Sequence, residues 1–284
     1  MAVLPQHSFQ FSQGSLQDYV DCARRFQLRY LSRLSWPAIE TEPVLENERF
    51  MRQGAQFHRL VHQYLLGIPA ERLSVTVQAE NLSRWWDNYL EHGFDPQEVQ
   101  GRCYPEITLA APLGEHSLVG KFDLVVVASG GDVSIMDWKT SRKRPQRTWL
   151  EKRLQTRVYP YLLVQAGACL NQGEPIQPEQ VEMVYWFAEY PRQPEHFSYD
   201  REKYQQDGEY FESLVEQIRA LDEDGFELTG DLKKSRFCVY RSLCERGVQA
   251  GSRQEREALL ESELGEQAGQ ALDLDFEQIA EIEF

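Results

Sequence analysis

The spacing of hydrophobic residues changes along the chain near residue 100. Before that point, apolar positions recur every three or four residues, which predicts helices at 15–34, about 46–66 and 79–92. From residue 104 the apolar positions fall into short runs rich in β-branched residues, ITLAAPL, HSLVGKFDLVVVA and DVSIMDW, separated by the turn sequences LGEH and SGGD. A three-stranded meander is therefore predicted to follow a helical region.

The second half of the chain returns to a helical period. The pattern predicts a helix over about 148–170, a strand over 180–190 and a further helix over 200–222. The resulting order, β-β-β-α-β with helices before and after, favours an α/β protein. A chain of 284 residues is long enough to bury a full core in one domain.

Acidic residues outnumber basic ones, but the two kinds are unevenly distributed. The formal net charge is −15, which as a global sum disfavours a phosphate-rich partner. Residues 139–157, here called the basic stripe, nevertheless hold eight Lys or Arg against one Glu, whereas residues 255–284 hold ten Asp or Glu against one Arg. Because salt screens charges over about 10 Å, the local potential decides what binds. The stripe is predicted to track a phosphate backbone through Arg142, Lys143, Arg144, Arg147, Lys152 and Arg153.

Apolar runs and cysteines in the sequence indicate the cellular compartment. The sequence contains no unbroken apolar run long enough to span a bilayer and no basic leader followed by an apolar segment. Its five cysteines, an odd number, argue against a disulfide framework and favour free thiols or metal ligation in a reducing compartment. We therefore expect a cytoplasmic protein with no membrane partner.

Three charged residues stand on two neighbouring predicted strands. Asp123 lies in GKFDLVVV, and Asp137 with Lys139 lies in VSIMDWKT. Residues i and i+2 of a strand share a face, and carboxylates on adjacent antiparallel strands can converge. A lone DxK is usually a surface salt bridge or a strand end. Charges within apolar strands are costly unless they are paired or bind metal, so the constellation predicts an Mg²⁺ or Mn²⁺ site with an ammonium beside it.

The order of motifs resembles a known family. GKFD is followed fourteen residues later by DWK and then by QTRVYPYLL on a predicted helix, and His58 precedes them in GAQFHRLVHQYL. This series resembles the RecB-like branch of the PD-(D/E)XK nuclease superfamily over about residues 11–247. The resemblance implies a restriction-endonuclease-like α/β core, with a mixed, mostly antiparallel sheet flanked by helices and an N-terminal helical region.

The resemblance also implies a set of metal ligands. By position, Asp123, Asp137 and His58 would hold the cation, with the main-chain carbonyl of Trp138 nearby. Glu106, in YPEITL, matches an acidic position on the first strand of many relatives, and an exposed strand glutamate is an equally good interpretation.

The same resemblance implies the catalytic roles. Lys139 would orient the attacking water and stabilise charge on the phosphate. Gln155 and Tyr159 lie four residues apart on one helix face and would position Lys139 and the scissile strand. A zinc-protease interpretation of His58 and His62 fails, because Arg59 stands where that motif needs a glutamate base.

Cysteines near both ends of the chain resemble the ligands of iron–sulfur members of this branch. Cys22, Cys238 and Cys244 match ligand positions, but Ser235 stands where the fourth cysteine is expected. Serine is a poor replacement because its hydroxyl is harder and far less acidic than a thiol. A three-cysteine cluster, a labile cluster, a staple replaced by packing and ordinary buried thiols all remain open.

The function implied by the resemblance is that of a divalent-metal-dependent DNA nuclease, acting on single-stranded DNA or frayed ends in repair, recombination or defence such as CRISPR adaptation. Two alternatives are a non-catalytic nucleic-acid-binding module and a nuclease-like subunit that works beside a helicase or another repair factor. The predicted organisation is one domain over 1–251, with a helical part at 1–100, a catalytic core at 101–195 and a cysteine-containing end at 196–251. An acidic tail follows at 252–284.

Overall fold

A computed structural model describes residues 9–34, 42–236 and 238–247 of the chain. The predicted acidic tail lies outside these residues. In the described part, the strands are β1 (Gln10–Phe11), β2 (Gly101–Leu113), β3 (His116–Ala128), β4 (Val133–Lys139), β5 (Val181–Phe187) and β6 (Glu195–Ser198).

Strand β3 lies at the centre of the sheet, with one partner strand along one edge and two partner strands along the other. One edge pairs antiparallel with β2 along almost its whole length. The other edge is divided, since residues 117–118 pair with β1 in parallel and residues 124–127 pair antiparallel with β4. The edge of β3 between these two pairings, residues 119–123, is called the fork below. Strand β5 adds to β4 in parallel and β6 adds to β5 antiparallel, which confirms the predicted mixed, mostly antiparallel sheet.

Helices cover both faces of this sheet. The α-helices of the described residues are α1 (Gln13–Asp21), α2 (Ala23–Phe26), α3 (Glu42–Leu65), α4 (Ala70–Ser74), α5 (Glu80–His92), α6 (Arg147–Lys152), α7 (Leu154–Ala166), α8 (Arg201–Ala220) and α9 (Leu232–Arg236). None of them is long and apolar enough to cross a membrane.

Two separate hydrophobic cores result from this arrangement. The α7 core contains Val158 and Leu162 of α7 packed against strand residues such as Ile135 and Tyr185. The α5 core lies on the opposite face and joins aromatic residues of α5, such as Trp85, to α3 and to the other side of the strands. Alternation along β4 places Val133 and Ile135 in the α7 core, so Asp137 and Lys139 belong to that face as well.

Most predicted elements are present, but several boundaries were wrong. The helix predicted over 15–34 breaks at Cys22, whose backbone is extended, and continues as α2 and a π-helical turn at Gln27–Leu31. The helix predicted over 148–170 breaks at Arg153, which is also extended. A one-residue break leaves the apolar period on both sides nearly unchanged, so the sequence pattern does not reveal it. The short strands β1 and β6 and helix α4 were missed because they are too short to show a period.

The alternation of side chains on β3 changes sides at Asp123. Before it, Leu118 and Phe122 face the α7 core; after it, Leu124 and Val126 face the α5 core. The ladder with β2 is interrupted at the same place, opposite Glu106, whose φ of +51° is left-handed. The two faces of the sheet therefore exchange at Asp123, the last residue of the fork, and at Glu106 opposite it on β2.

Helix α7 approaches β3 closely at Gly120, the glycine of GKFD. A Cβ atom at this position would lie 2.9 Å from Leu162 Cδ2 and 3.4 Å from Tyr159 Cε1. Both of these side chains are fully buried, so neither can move freely out of the way. The glycine thus fixes the distance between α7 and the strand that carries Asp123.

We expect Gly120→Ala to destabilise the protein by about 1–3 kcal/mol, because the added methyl overpacks this contact. Denaturant unfolding monitored by circular dichroism measures the change. Gly130→Ala is the matched control, since a Cβ there meets nothing within 4 Å. Equal stabilities of the two variants would contradict the packing role of Gly120.

Candidate metal centre

His58 of α3 and Asp123 of β3 meet at the fork although 65 residues separate them in the chain. His58 Nδ1 lies 3.0 Å from Asp123 Oδ1. The neighbours of His58 on α3, Phe57 and Val61, are buried in the α5 core and fix the side of the sheet from which the imidazole arrives. The residue Asp123 is buried, so the negative charge of its carboxylate is held largely away from water.

The second oxygen of Asp123 binds the backbone of β4. The main-chain amide of Trp138 donates a hydrogen bond of 2.9 Å to Asp123 Oδ2. The amide and carbonyl of one residue in a strand point to the same edge, so the Trp138 carbonyl also faces the fork. The opposite edge of β4 is used by β5, where Lys139 O accepts from the Ala188 amide.

Glu106 joins this group from β2. Ligand atoms of His58, Glu106 and Asp123 all lie within 4.8 Å of one another, and no other three His, Cys, Asp or Glu residues in the described ranges do so. Glu106 Oε2 is also 2.6 Å from Lys121 Nζ. Its left-handed backbone, a strained conformation for a glutamate, is of the kind that persists where function requires it.

Asp137, Lys139 and Gln155 form a second network on the α7 side of the fork. Gln155 Nε2 donates to Asp137 Oδ1 at 2.7 Å, and Lys139 Nζ donates to Gln155 Oε1 at 2.9 Å. Lys139 Nζ lies 3.0 Å from Asp137 Oδ2. The carboxylate of Asp137 is thus held by an amide and an ammonium. It does not belong to the close group of His58, Glu106 and Asp123, which differs from the ligand set expected from the sequence.

The electrostatics of the site follow from burial and pairing. Burial disfavours the charged form of His58, but the carboxylates of Asp123 and Asp137 outweigh this effect and raise the pKa of His58. Burial also disfavours the Asp123 carboxylate, yet His58 and the Trp138 amide outweigh it and lower the pKa of Asp123. The pair therefore favours an ionised carboxylate beside a readily protonated imidazole.

The donor set suits a hard divalent cation. Most of the available ligand atoms are oxygens, since two strands supply carboxylates and the main chain of Trp138 supplies a carbonyl. One imidazole nitrogen completes the set, which is of the kind that Mg²⁺ and Mn²⁺ prefer. His58, Glu106 and Asp123 would hold such an ion, with Asp137 and the Trp138 carbonyl adjacent.

Comparison with protein-family models places the chain in a family. The family model described as the PD-(D/E)XK nuclease superfamily matches residues 10–245. The chain belongs to the PD-(D/E)XK nuclease superfamily. No curated protein matches the chain.

Two solved structures resemble this superfamily member only distantly. A candidate exonuclease from Eubacterium rectale is 10% identical, with a TM-score of 0.47, and the match covers 88% of this chain and 93% of the other. The crystal structure of a protein designated SSO0001 is 13% identical, with a TM-score of 0.39 and coverage of 87% and 89%.

Two tyrosines contact the strands that carry the site in this nuclease fold, one at β3 and the other at Lys139 of β4. Tyr159 of α7, expected to position Lys139, donates its hydroxyl to the main-chain oxygen of Lys121 at 2.7 Å and so fixes β3 two residues before Asp123. Tyr185 of β5 was missed, because an aromatic residue on a strand usually indicates core packing alone. Its ring lies beneath Lys139, with Nζ 5.6 Å from the ring centroid, where a cation–π contact is favourable.

The basic stripe is narrower than its sequence suggests. Arg144 and Arg147 both pair with the carboxylate of Glu195 on β6. Arg153 is 5 % exposed and lies over the Trp149 ring, so it is placed for packing rather than for contact with phosphate. Of the six predicted residues, Arg142 and Lys152 have exposed side chains and Lys143 is half-buried.

We expect divalent-metal binding to weaken as the pH falls through the raised pKa of His58, because a proton and a cation compete for the imidazole. Isothermal titration with Mn²⁺ between about pH 6 and about pH 8 should show up to about a tenfold loss of affinity per pH unit. His58→Gln should bind more weakly and with a shallower pH dependence. The same slope in both proteins would exclude His58 from the site.

Proposed function

We propose that the chain is a divalent-metal-dependent nuclease of the RecB-like branch that hydrolyses phosphodiester bonds in DNA. The observation that carries this proposal is the meeting of His58 and Asp123 at 3.0 Å, directly beside the Asp137–Lys139 pair. Membership of the nuclease superfamily supports the reaction type.

The carboxylates and the imidazole are proposed to bind the cation. His58, Glu106 and Asp123 provide ligand atoms within 4.8 Å of one another, and Asp137 lies close enough for its charge to raise the pKa of His58. Bound Mg²⁺ or Mn²⁺ would activate water and offset charge on the phosphate oxygens. Asp123 and Asp137 are buried, so their charges are costly without a cation or an equivalent pairing.

Lys139 is proposed as the residue that contacts the reacting phosphate or its attacking water. Its ammonium is held by Asp137, Gln155 and the Tyr185 ring, so it is fixed in place before substrate arrives. A preorganised cation is effective because it needs no rearrangement as negative charge develops. Its side chain is 16% exposed, so Lys139 is not fully sealed from solvent.

The proposed substrate is single-stranded DNA or a frayed end. The side chains of Asp123 and Asp137 are 6% and 2% exposed, and a flexible single strand can reach such recessed groups more easily than a stiff duplex. Arg142, Lys143 and Lys152 are the cations proposed to contact backbone phosphates. We propose that this activity serves in repair, recombination or defence, either alone or beside a helicase.

We expect Lys139→Ala to lower the cleavage rate by about 10²–10³-fold, because it removes a fixed charge near the reacting phosphate. Labelled single-stranded and duplex DNA, incubated with Mg²⁺ or Mn²⁺, provide the assay. The matched control is Lys203→Ala, which removes an exposed lysine of α8 that pairs with Asp200 and should leave the rate unchanged.

Binding measurements separate catalysis from simple recognition. Lys139→Ala should bind single-stranded DNA in the presence of a chelator within about threefold of wild type, since one phosphate contact contributes modestly to affinity. Wild-type protein that binds DNA but cleaves neither substrate with either metal would favour the non-catalytic alternative. Equal cleavage by wild type and Lys139→Ala would refute the role of Lys139.

A further inference from the structure

The cysteines near the two ends of the chain lie together around one pocket. Cys22 precedes α2, and Cys238 and Cys244 follow α9, so more than two hundred residues separate the two segments. All three thiols line the pocket with Arg25 and Arg246. Some interaction in or around this pocket must therefore hold the two cysteine-containing segments together.

The residue at the fourth expected ligand position is already engaged. Ser235 is 7% exposed, and its hydroxyl donates to the main-chain oxygen of Asp231 at 3.2 Å. The Ser235 oxygen also accepts a hydrogen bond from Arg246 Nη1. Arg246 Nη2 donates to Thr229 O at 2.7 Å, so one guanidinium ties together both ends of the segment around α9.

These residues do not fit a four-iron cluster. Such a cluster is ordinarily held by four thiolates, whereas three thiols and one hydroxyl are present, and a hydroxyl is a hard, weakly acidic donor. They do not fit a single tetrahedral metal either. Sulfurs bound to one zinc lie about 3.8 Å apart, given Zn–S bonds of about 2.3 Å. The three thiols do not form a group within 4.8 Å, judged over the described ranges.

Direct polar contacts join the N-terminal helices to the segment that follows α8 instead. Asp21 of α1 is 3% exposed and lies 2.9 Å from both Lys234 Nζ of α9 and Arg25 Nη2. Gln27 Nε2 donates to Glu223 O at 2.7 Å, and the Tyr240 hydroxyl donates to Leu34 O at 2.9 Å. Buried carboxylates paired on two sides are strongly coupled to the fold, because removing one partner leaves an uncompensated charge.

We propose that this chain carries no metal at its cysteine pocket, and that a clamp made of Ser235, Arg246 and Thr229 O, together with the Asp21 ion pairs, fastens its C-terminal segment to the N-terminal helices. The clamp joins the residues before α9 to the residues that follow it. The Asp21 pairs then attach that segment to α1, where an iron-containing relative would use the cluster for both tasks.

The first test is the metal content of the full chain purified without oxygen. Iron, acid-labile sulfide and zinc should each be below about 0.1 equivalent per chain, whereas an occupied cluster would give about 3–4 iron atoms. Half an equivalent or more of iron or zinc, removed together with the folded state by a chelator, would overturn the proposal.

The second test measures the clamp itself by thermal unfolding in the presence of a chelator. Arg246→Ala should lower the Tm by roughly 3–8 °C, because Ser235 and Thr229 O lose a partner in a partly buried site. Arg192→Ala is the control, since that arginine is 75% exposed and makes only surface contacts, and it should shift the Tm by less than about 1 °C.

A double-mutant cycle distinguishes the clamp from a general loss of packing. If Ser235 and Arg246 act together, Ser235→Ala combined with Arg246→Ala should lower the Tm by clearly less than the sum of the two single changes. Additive effects, or a Tm of Arg246→Ala equal to that of wild type, would refute the clamp. If Arg246→Ala fails to fold, Ser235→Ala with Arg246→Lys completes the cycle with milder changes.

Discussion

The carboxylate of Asp123 is the contact on which the rest of the site depends. One of its oxygens faces His58 from α3 and the other accepts the Trp138 amide from β4, so a single side chain joins three segments of the chain. This is feasible only because the pairing of β4 with β3 ends at Met136 and Leu124, which opens the fork and frees the Trp138 backbone. Without the fork, that amide would be used in the sheet, and Asp123 would be a buried charge without sufficient partners.

The fork also explains why residues from opposite faces of one sheet can act together. His58 comes from the α5 side, whereas Asp137, Lys139 and Gln155 lie on the α7 side. A continuous sheet would separate these groups by its full thickness. The exchange of faces at Glu106 and Asp123 removes that barrier locally, at the cost of a left-handed backbone at Glu106.

Buried carboxylates in the described part of the chain are paired with cationic side chains. Asp137 is bound by Lys139 and Gln155, Glu195 binds two arginines of the basic stripe, and Asp21 is bound by two cations near the cysteine pocket. The metal centre and the Asp21 ion pairs are alike in this respect, since in both places buried ionic contacts join segments that are distant in sequence. Such pairing also means that a count of basic residues overestimates the surface available to a phosphate backbone.

The sequence by itself determined the strands of the meander, the shared face of Asp137 and Lys139, and the presence of His58 on an early helix, because these features depend on local periodicity and on motif order. Only the tertiary structure decided that Glu106 joins His58 and Asp123, that Gln155 and Lys139 hold Asp137, and that Glu195 neutralises part of the basic stripe. Those outcomes depend on strand register and on the approach of segments far apart in the chain, and a single sequence carries no periodic signal for either.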